Sequence, residues 1–368
     1  MNKLILGNLV HRPLRSVISA FAVAIEVIMI LSVVAIFYGI LNGSRTQTTG
    51  IGMDVIAHPG AATALMNTSS ASADVRIADV LRKLPHVQVV SPVNMKLTAG
   101  TSLENIYGID YASFNALRPF DFIEGGPFKG PFDIIIDDYA AKTGNGFKVG
   151  DPVKVLNHTF YVCGIVEHGK GSRKFIPLET MDSLDGNPRK ASAFYLRTED
   201  EPKYQEQVRK EILQIDGLQD WSVQTIQEYL EALTPARMPG FNIALRVVIS
   251  IATIIGFLVI FQAMYTAVLE RTREIGILKS MGAGRLTIVS VVLRETMLLA
   301  IVGTTLGVAA TYLLRNVLHA RFPTLSFQLT LEWVINAIAI ALCGALLGAL
   351  YPALKAARKD PIDALSYE

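Results

Sequence analysis

Four long apolar runs divide the sequence, at about Val17–Leu41, Ile243–Val268, Ile288–Leu314 and Trp333–Leu354. Each reaches the roughly 20 residues an α-helix needs to cross a bilayer, so four spans are expected. The third opens on Arg294 and Glu295, which puts its apolar stretch from about Thr296 onwards. The first run is too long for the apolar region of a signal peptide and no cleavage signal follows it, so it reads as an uncleaved anchor. The pattern assigns 1–16 to an N-terminal segment, 17–41, 243–268, 288–314 and 333–354 to spans, 42–240 to a large domain, 269–287 and 315–332 to connections, and 355–368 to a tail.

The segment 42–240 is long enough for a core of its own. Short runs at Met53–Ala57, Val87–Ser91, Asn105–Ile109, Asp133–Ile136, Val153–Leu156 and Phe160–Val166 are rich in β-branched and aromatic residues. Gly, Pro or Asp bounds them, so they predict strands. Helical spacing predicts helices at Ile77–Lys83 and Lys203–Gln214, the second opening after Pro202. The expected fold class is therefore membrane α-helical, with four transmembrane helices and a large α+β domain between the first and second. Ala61–Ala73 is small and polar and reads as a loop, and Gln224–Leu233 leads through Pro235 and Pro239 into the second span. Residues 2–12 place Ile5, Leu6, Leu9 and Val10 on one helical face. They fit either an interfacial helix or a plain polar approach to the first span.

Composition agrees with a mixed architecture. Half of the residues are hydrophobic (51%), too many for an ordinary soluble chain. A net charge of +2 gives no field for nucleic acid. The local distribution is more telling. Lys3, Arg12 and Arg15 precede the first span, Arg271, Arg273, Lys279 and Arg285 lie between the second and third, and Lys355, Arg358 and Lys359 follow the fourth. With four spans all three groups fall on one side, which the positive-inside rule makes cytoplasmic, and the large domain is then extracytoplasmic. A bacterial inner membrane with both termini inside is the expected setting.

Searching for chemistry mostly excludes it. GxxxxGK[ST], HExxH and GxSxG patterns are absent, so no ATP site of the phosphate-loop type and no catalytic residue is assigned. Cys163 and Cys343 lie in unlike surroundings and form no CxxC, and the six histidines are scattered, so no metal is expected. Gly303 and Gly307, and likewise Gly344 and Gly348, form small-xxx-small pairs suited to close helix packing. Glu26 is an acid well inside the first span, where it either makes a polar contact across an interface or packs as a neutral, hydrogen-bonded group.

The most informative stretch is LERTREIGILKSMGAGR, Leu269 to Arg285, a charged segment between two apolar runs. Helical spacing puts Ile275, Leu278 and Met281–Gly282 together as an apolar knob with charges around it, the form that fits a groove on a partner. Residues Glu270, Arg271, Arg273, Glu274, Ile275, Gly276, Leu278, Lys279, Met281, Gly282 and Ala283 resemble the coupling region of FtsX-like, MacB-type ABC transporter permeases. So does the tail from Tyr351-Pro352-Ala353 through Ala356-Ala357-Arg358 to Asp360-Pro361-Ile362-Asp363-Ala364-Leu365. Lys148–Val155 with Phe160–Val166, and Ile51–Pro59, resemble strands of the same family. The resemblance covers essentially the whole chain. Glu26 departs from it, since the family usually has small or apolar residues there.

The resemblance implies a permease subunit without an ATP site of its own. ATP and Mg would be held by a cytoplasmic ABC ATPase subunit dimer, and a second permease subunit, identical or paralogous, would complete the pair. A periplasmic adaptor, or membrane fusion protein, and an outer-membrane channel are conditional partners, and membrane lipid surrounds the spans. ATPase closure would push the coupling segment and drive motion of the external domain, for efflux or extraction of a lipid, lipoprotein, peptide or drug. Sparse intramembrane charge argues against a hydrophilic pore. Two other classes remain: a regulatory permease that controls an external hydrolase, and a membrane-anchored scaffold or receptor without an ATPase.

Overall fold

In the computed structural model the described residues are 13–60, 62–63, 68–69, 71–99, 103–143, 146–186, 189–199, 202–234, 237–322 and 325–358. The N-terminal stretch 2–12, residues 61, 64–67 and 70 of the expected loop, and the tail beyond 358 lie outside them. The chain forms two units. One comprises 1–39, 240–321 and 327–368, and the other 40–239 and 322–326.

Helix α1, Pro13–Ile51, is longer than the apolar run that predicts it. Residues 42–51 are polar but contain no proline, so the helix continues until Gly52, whose φ of +78° stops it. The α+β unit follows. Its elements are β1 (Val55–His58), α2 (Ile77–Leu81), β2 (Val87–Ala99), β3 (Leu103–Ile109), α3 (Tyr111–Leu117), β4 (Phe122–Gly125), β5 (Asp133–Asp137) and α4 (Asp138–Ala141). Then come β6 (Pro152–Val155), β7 (His158–Val166), β8 (Lys174–Pro177), α5 (Leu178–Leu184), β9 (Ala193–Thr198), α6 (Pro202–Gln214), β10 (Ser222–Thr225) and α7 (Ile226–Ala232).

One mixed sheet runs β10-β1-β9-β2-β3-β8-β5-β7-β4, with β6 beside β7. Its first four strands are antiparallel throughout. With α2 after β1 and α6 after β9 they make a split βαβ motif, βαββαβ, whose middle hairpin is opened between β2 and β9. The inserted strands continue the sheet from β2, and β3 and β8 are parallel.

Alternation along the strands separates two faces. Val90, Phe194 and Leu196 meet Ala78 and Leu81 of α2 and Val208 and Ile212 of α6. Val93, Tyr107, Ile109, Phe175 and Tyr195 point the other way, onto Phe114 and Leu117 of α3. Further along, Ile106 and Ile176 join Met181 of α5 in a third cluster. Helices α3 and α5 therefore cover opposite faces of the parallel pair β3/β8. Caps fix where these short helices begin. Asp110 accepts from the Ser113 amide at 3.0 Å, and Thr225 and Glu228 form a reciprocal capping box at α7.

The remaining elements are α8 (Pro239–Glu270), α9 (Thr272–Ser280), α10 (Arg285–Arg321) and α11 (Leu331–Arg358). With α1 they give four helices long and apolar enough to cross a membrane. Both α1 and α10 outrun the expected spans, and Arg315–Arg321 of the expected 315–332 loop form the last turns of α10. Val23, Val27, Ile30 and Val34 of α1 pack with Ala252, Ile260 and Met264 of α8 and with an alanine row on α11. That row, Ala337, Ala341, Ala345, Ala349 and Ala353, recurs every four residues and is buried throughout. Small side chains let helix backbones approach where lipid offers no hydrophobic advantage to association.

Candidate functional site

The site grows from the junction between α8 and α9. Arg271 breaks the helix there with φ −104° and ψ 16°. Its guanidinium reaches back to α10, where Nη1 donates to Glu295 Oε2 at 2.9 Å and to Oε1 at 3.1 Å. Both side chains are nearly buried, 12% and 10% exposed. An ion pair in this position holds α9 against α10, and losing either partner strands a charge. Glu295 was not among the residues singled out from the sequence. The available signal was an acid inside an apolar run, which needs a partner nearby.

At the other end of α9, Lys279 Nζ donates to the Ala357 carbonyl at 3.0 Å, in the last turn of α11. A cation there satisfies a free carbonyl and favours the negative end of the helix. Helix α9 ends in a full Schellman motif. The Gly282 amide donates to Lys279 O and the Ala283 amide to Leu278 O, both at 3.0 Å, with Gly282 at φ +93°.

These tethers decide which face of α9 is free. Ile275, Leu278 and Ala283 pack onto Val268, Ile288, Ala356 and Ala357. Gly276 and Thr272 are buried. The knob expected from Ile275 and Leu278 is therefore turned inward, because α10 and α11 cover that side. Met281 and Gly282 do face outward, as the expectation had them, and Arg273 and Glu274 are exposed beside them. The outward apolar set is Ile277 (45% exposed), Met281 (72%) and Leu286 (84%). A shallow groove between α8, α9 and α10, with Met264, Arg271, Glu274, Leu278, Val292 and Glu295 among its lining, runs beneath Glu274. Glu270 is exposed at the end of α8.

Within the helical unit, Gly303 and Gly307 of α10 face α1. A Cβ at Gly303 would lie 2.5 Å from Ala20 O, and one at Gly307 2.8 Å from Ala24 O. A Cβ at Gly348 would lie 2.9 Å from Phe257 O on α8. Gly344 faces Thr253 and the Glu26 carboxylate, each 3.9 Å from its would-be Cβ. Glu26 is buried at 4% exposure, and its Oε1 makes no hydrogen bond among the described residues. Its carboxylate occupies the space a side chain on Gly256 would fill: a Cβ there would overlap the acid. The polar residue in α1 and the glycine in α8 thus fit as a pair.

Four membrane-length helices with an α+β domain between the first two define a multi-pass membrane protein with a large extramembrane domain. A family model for the MacB-like periplasmic core domain matches residues 16–215, and one for the FtsX-like permease C-terminal matches residues 246–361. The chain belongs to the MacB/FtsX type of ABC transporter permease. It is similar to an uncharacterized ABC transporter permease of Methanocaldococcus jannaschii, 24% identical over 63% of each chain. It is also similar to the macrolide export ATP-binding/permease protein MacB of Escherichia coli, 24% identical over 97% of this chain and 59% of that one. The pyoverdine export ATP-binding/permease protein PvdT of Pseudomonas syringae pv. tomato is 25% identical over 96% and 57%. The chain thus spans about three fifths of the length of these relatives. A crystal structure of the periplasmic region of MacB from Actinobacillus actinomycetemcomitans overlays 50% of this chain and 94% of its own, at 16% identity and a TM-score of 0.40.

Proposed function

We propose that this permease is driven by a separate cytoplasmic ATPase that grips the outward face of α9. The observation that carries this reading is the combination of exposed Ile277, Met281 and Leu286 with a helix tethered at both ends, by Arg271–Glu295 and Lys279–Ala357. An exposed apolar set ringed by Arg273, Glu274 and Arg285 suits a groove on a protein partner, the charges fixing register. A push on such a helix passes to α10 and α11 through the tethers, and to α8 through the chain.

The basic residues that flank the spans support a reading with α9 and both termini on the cytoplasmic side and the α+β domain outside. Helix α1 runs on into that domain and α8 begins where the domain ends, so a displacement on the inside reaches it through two covalent connections. This is mechanical transmission, with ATP and Mg held by the ATPase and the permease working as a pair of subunits. Relatives named for macrolide and pyoverdine export support outward handling of a substrate, in which a periplasmic adaptor would take part.

Purification in mild detergent, with mass spectrometry of co-eluting proteins, tests the reading. An ATPase with a phosphate loop should co-elute with the native chain and be lost from an Ile277→Glu/Met281→Glu variant that still inserts in the membrane. Its absence from both, or its retention by both, would sink the assignment. An external hydrolase co-eluting in its place would favour the regulatory class.

A further inference from the structure

We propose that the α+β domain carries a binding cleft, between α2 and α5, for a peptide segment that bears one cationic and one anionic side chain flanking an apolar one. The proposal is independent of the ATPase reading, because binding is read without nucleotide or partner.

Position is the first argument. The cleft opens at the carboxyl ends of the parallel strands β3 and β8, at Ile109 and Pro177. The helices that follow these two strands, α3 and α5, leave to opposite faces of the sheet. A crevice forms outside the strand ends wherever the chain diverges in this way, and α/β sheets place ligands there. The cavity volume is about 390 Å3, within the range for ligand pockets.

Preorganisation is the second. Asp182 of α5 is buried, 4% exposed, and accepts from Asn94 Nδ2 at 2.9 Å and from the Lys190 amide at 3.1 Å. Burial pushes its carboxyl above the usual range, against those hydrogen bonds. Lys96 on β2 pairs with Asp185 at 2.8 Å. These contacts tie α5 to β2 and hold the wall without a ligand.

The lining chooses the ligand. Pro92, Ile109, Leu178, Tyr111 and Phe128 give an apolar, aromatic floor, the last two rings lying edge-on with centroids 6.1 Å apart. The lining carries Arg76, Arg82 and Arg189 together with Asp79, Asp110, Glu179 and Asp182. Arg76 is held by Asp74 at 2.8 Å and Arg82 by Asp79 at 2.7 Å, so they shape the wall. Glu179 and the Arg189 guanidinium make no hydrogen bond among the described residues and are exposed. A purely anionic ligand would meet Asp110 and Glu179, and a purely cationic one would meet the arginines. A peptide with both charges and a hydrophobic side chain can pair with Arg189 and with Glu179 while its apolar group meets the floor.

The test uses the full chain in lipid nanodiscs and two capped tripeptides, acetyl-Lys-Phe-Asp-amide and acetyl-Asp-Phe-Lys-amide, whose only charges are on their side chains. Saturation-transfer NMR should show transfer to the phenylalanine ring and a preference for one of the two sequences. Arg189→Glu and Glu179→Lys should each weaken the preferred peptide about tenfold. The double reversal should invert the preference, which a folding defect would not do. No transfer to either peptide at ~5 mM, a range that still detects very weak binding, would overturn the proposal. So would affinities unchanged by both reversals, or equal binding of acetyl-Asp-Phe-Asp-amide, which would mark an anion site.

Discussion

At the scale of single residues, two buried acids are informative for different reasons. Glu26 in α1 fits only because residue 256 in α8 has no side chain. Gly256→Ala should therefore lower the thermal stability of the purified permease, by an amount typical of core overpacking, about 1–3 kcal/mol. Glu26→Ala should restore most of it in the double variant. Additive losses in a thermal-shift assay would show that the two do not compete for one space. The other acid is Asp137, the cap of α4, whose Oδ1 accepts from the Ala140 amide at 2.6 Å while Oδ2 is buried with no hydrogen-bond partner among the described residues. Burial pushes its carboxyl up to about 6 from 3.8, against that hydrogen bond and Arg173. Its protonated form is thus favoured in the fold. The domain should be most stable below about pH 4 with respect to this group, and should lose on the order of 3 kcal/mol as pH rises through about 6. In Asp137→Asn, denaturant titrations at several pH values should show that slope removed. A slope that persists would assign it elsewhere.

At the scale of elements, α9 is defined by its two ends. Gly282→Ala forces a side chain into the left-handed region and should cost about 1 kcal/mol, fraying the last turn. Arg271→Ala leaves Glu295 buried and unpaired, and should cost about 3–5 kcal/mol, while Arg271→Ala/Glu295→Met should recover much of it. Thermal unfolding of both variants checks the order. The four long helices were legible from the sequence, because runs of this length and apolarity have few alternatives. Strands at Val87, Asp133 and Phe160 were legible from β-branched clusters, although Lys174–Pro177, Ala193–Thr198 and Ser222–Thr225 were not. These are short and owe their form to pairing partners far away in the chain. The outward face of α9 was half legible. Helical spacing groups Ile275, Leu278 and Met281, and only the placement of Ile288, Ala356 and Ala357 shows that Ile275 and Leu278 are covered while Met281, beside Ile277, faces out.

At the scale of the whole molecule, α1 is a single uninterrupted helix of 39 residues. At 1.5 Å per residue it is about 58 Å long, nearly twice what a bilayer core requires. If it transmits displacement to the domain, a break beyond the apolar run should uncouple the two. Ser44→Pro removes a helical hydrogen bond at a cost of about 3 kcal/mol. In reconstituted vesicles it should leave membrane insertion and ATPase binding intact while abolishing ATP-dependent change in the domain, read by the distance between spin labels. Unchanged distances with and without nucleotide in the native chain would remove the premise.

The opened hairpin of the split βαβ motif has a bearing on ancestry and engineering. Val93 of β2 stands opposite Ala193 of β9, so both cut ends lie side by side on neighbouring strands. A two-residue turn bridging them would restore an ordinary hairpin and omit about a quarter of the chain. The excised portion behaves as a cassette: it leaves and returns at one point, and of the two helices that flank the cleft it carries α5 while α2 stays behind. A lineage can exchange such a cassette while the strands that receive it keep their order, and a protein engineer can do the same with a foreign binding module.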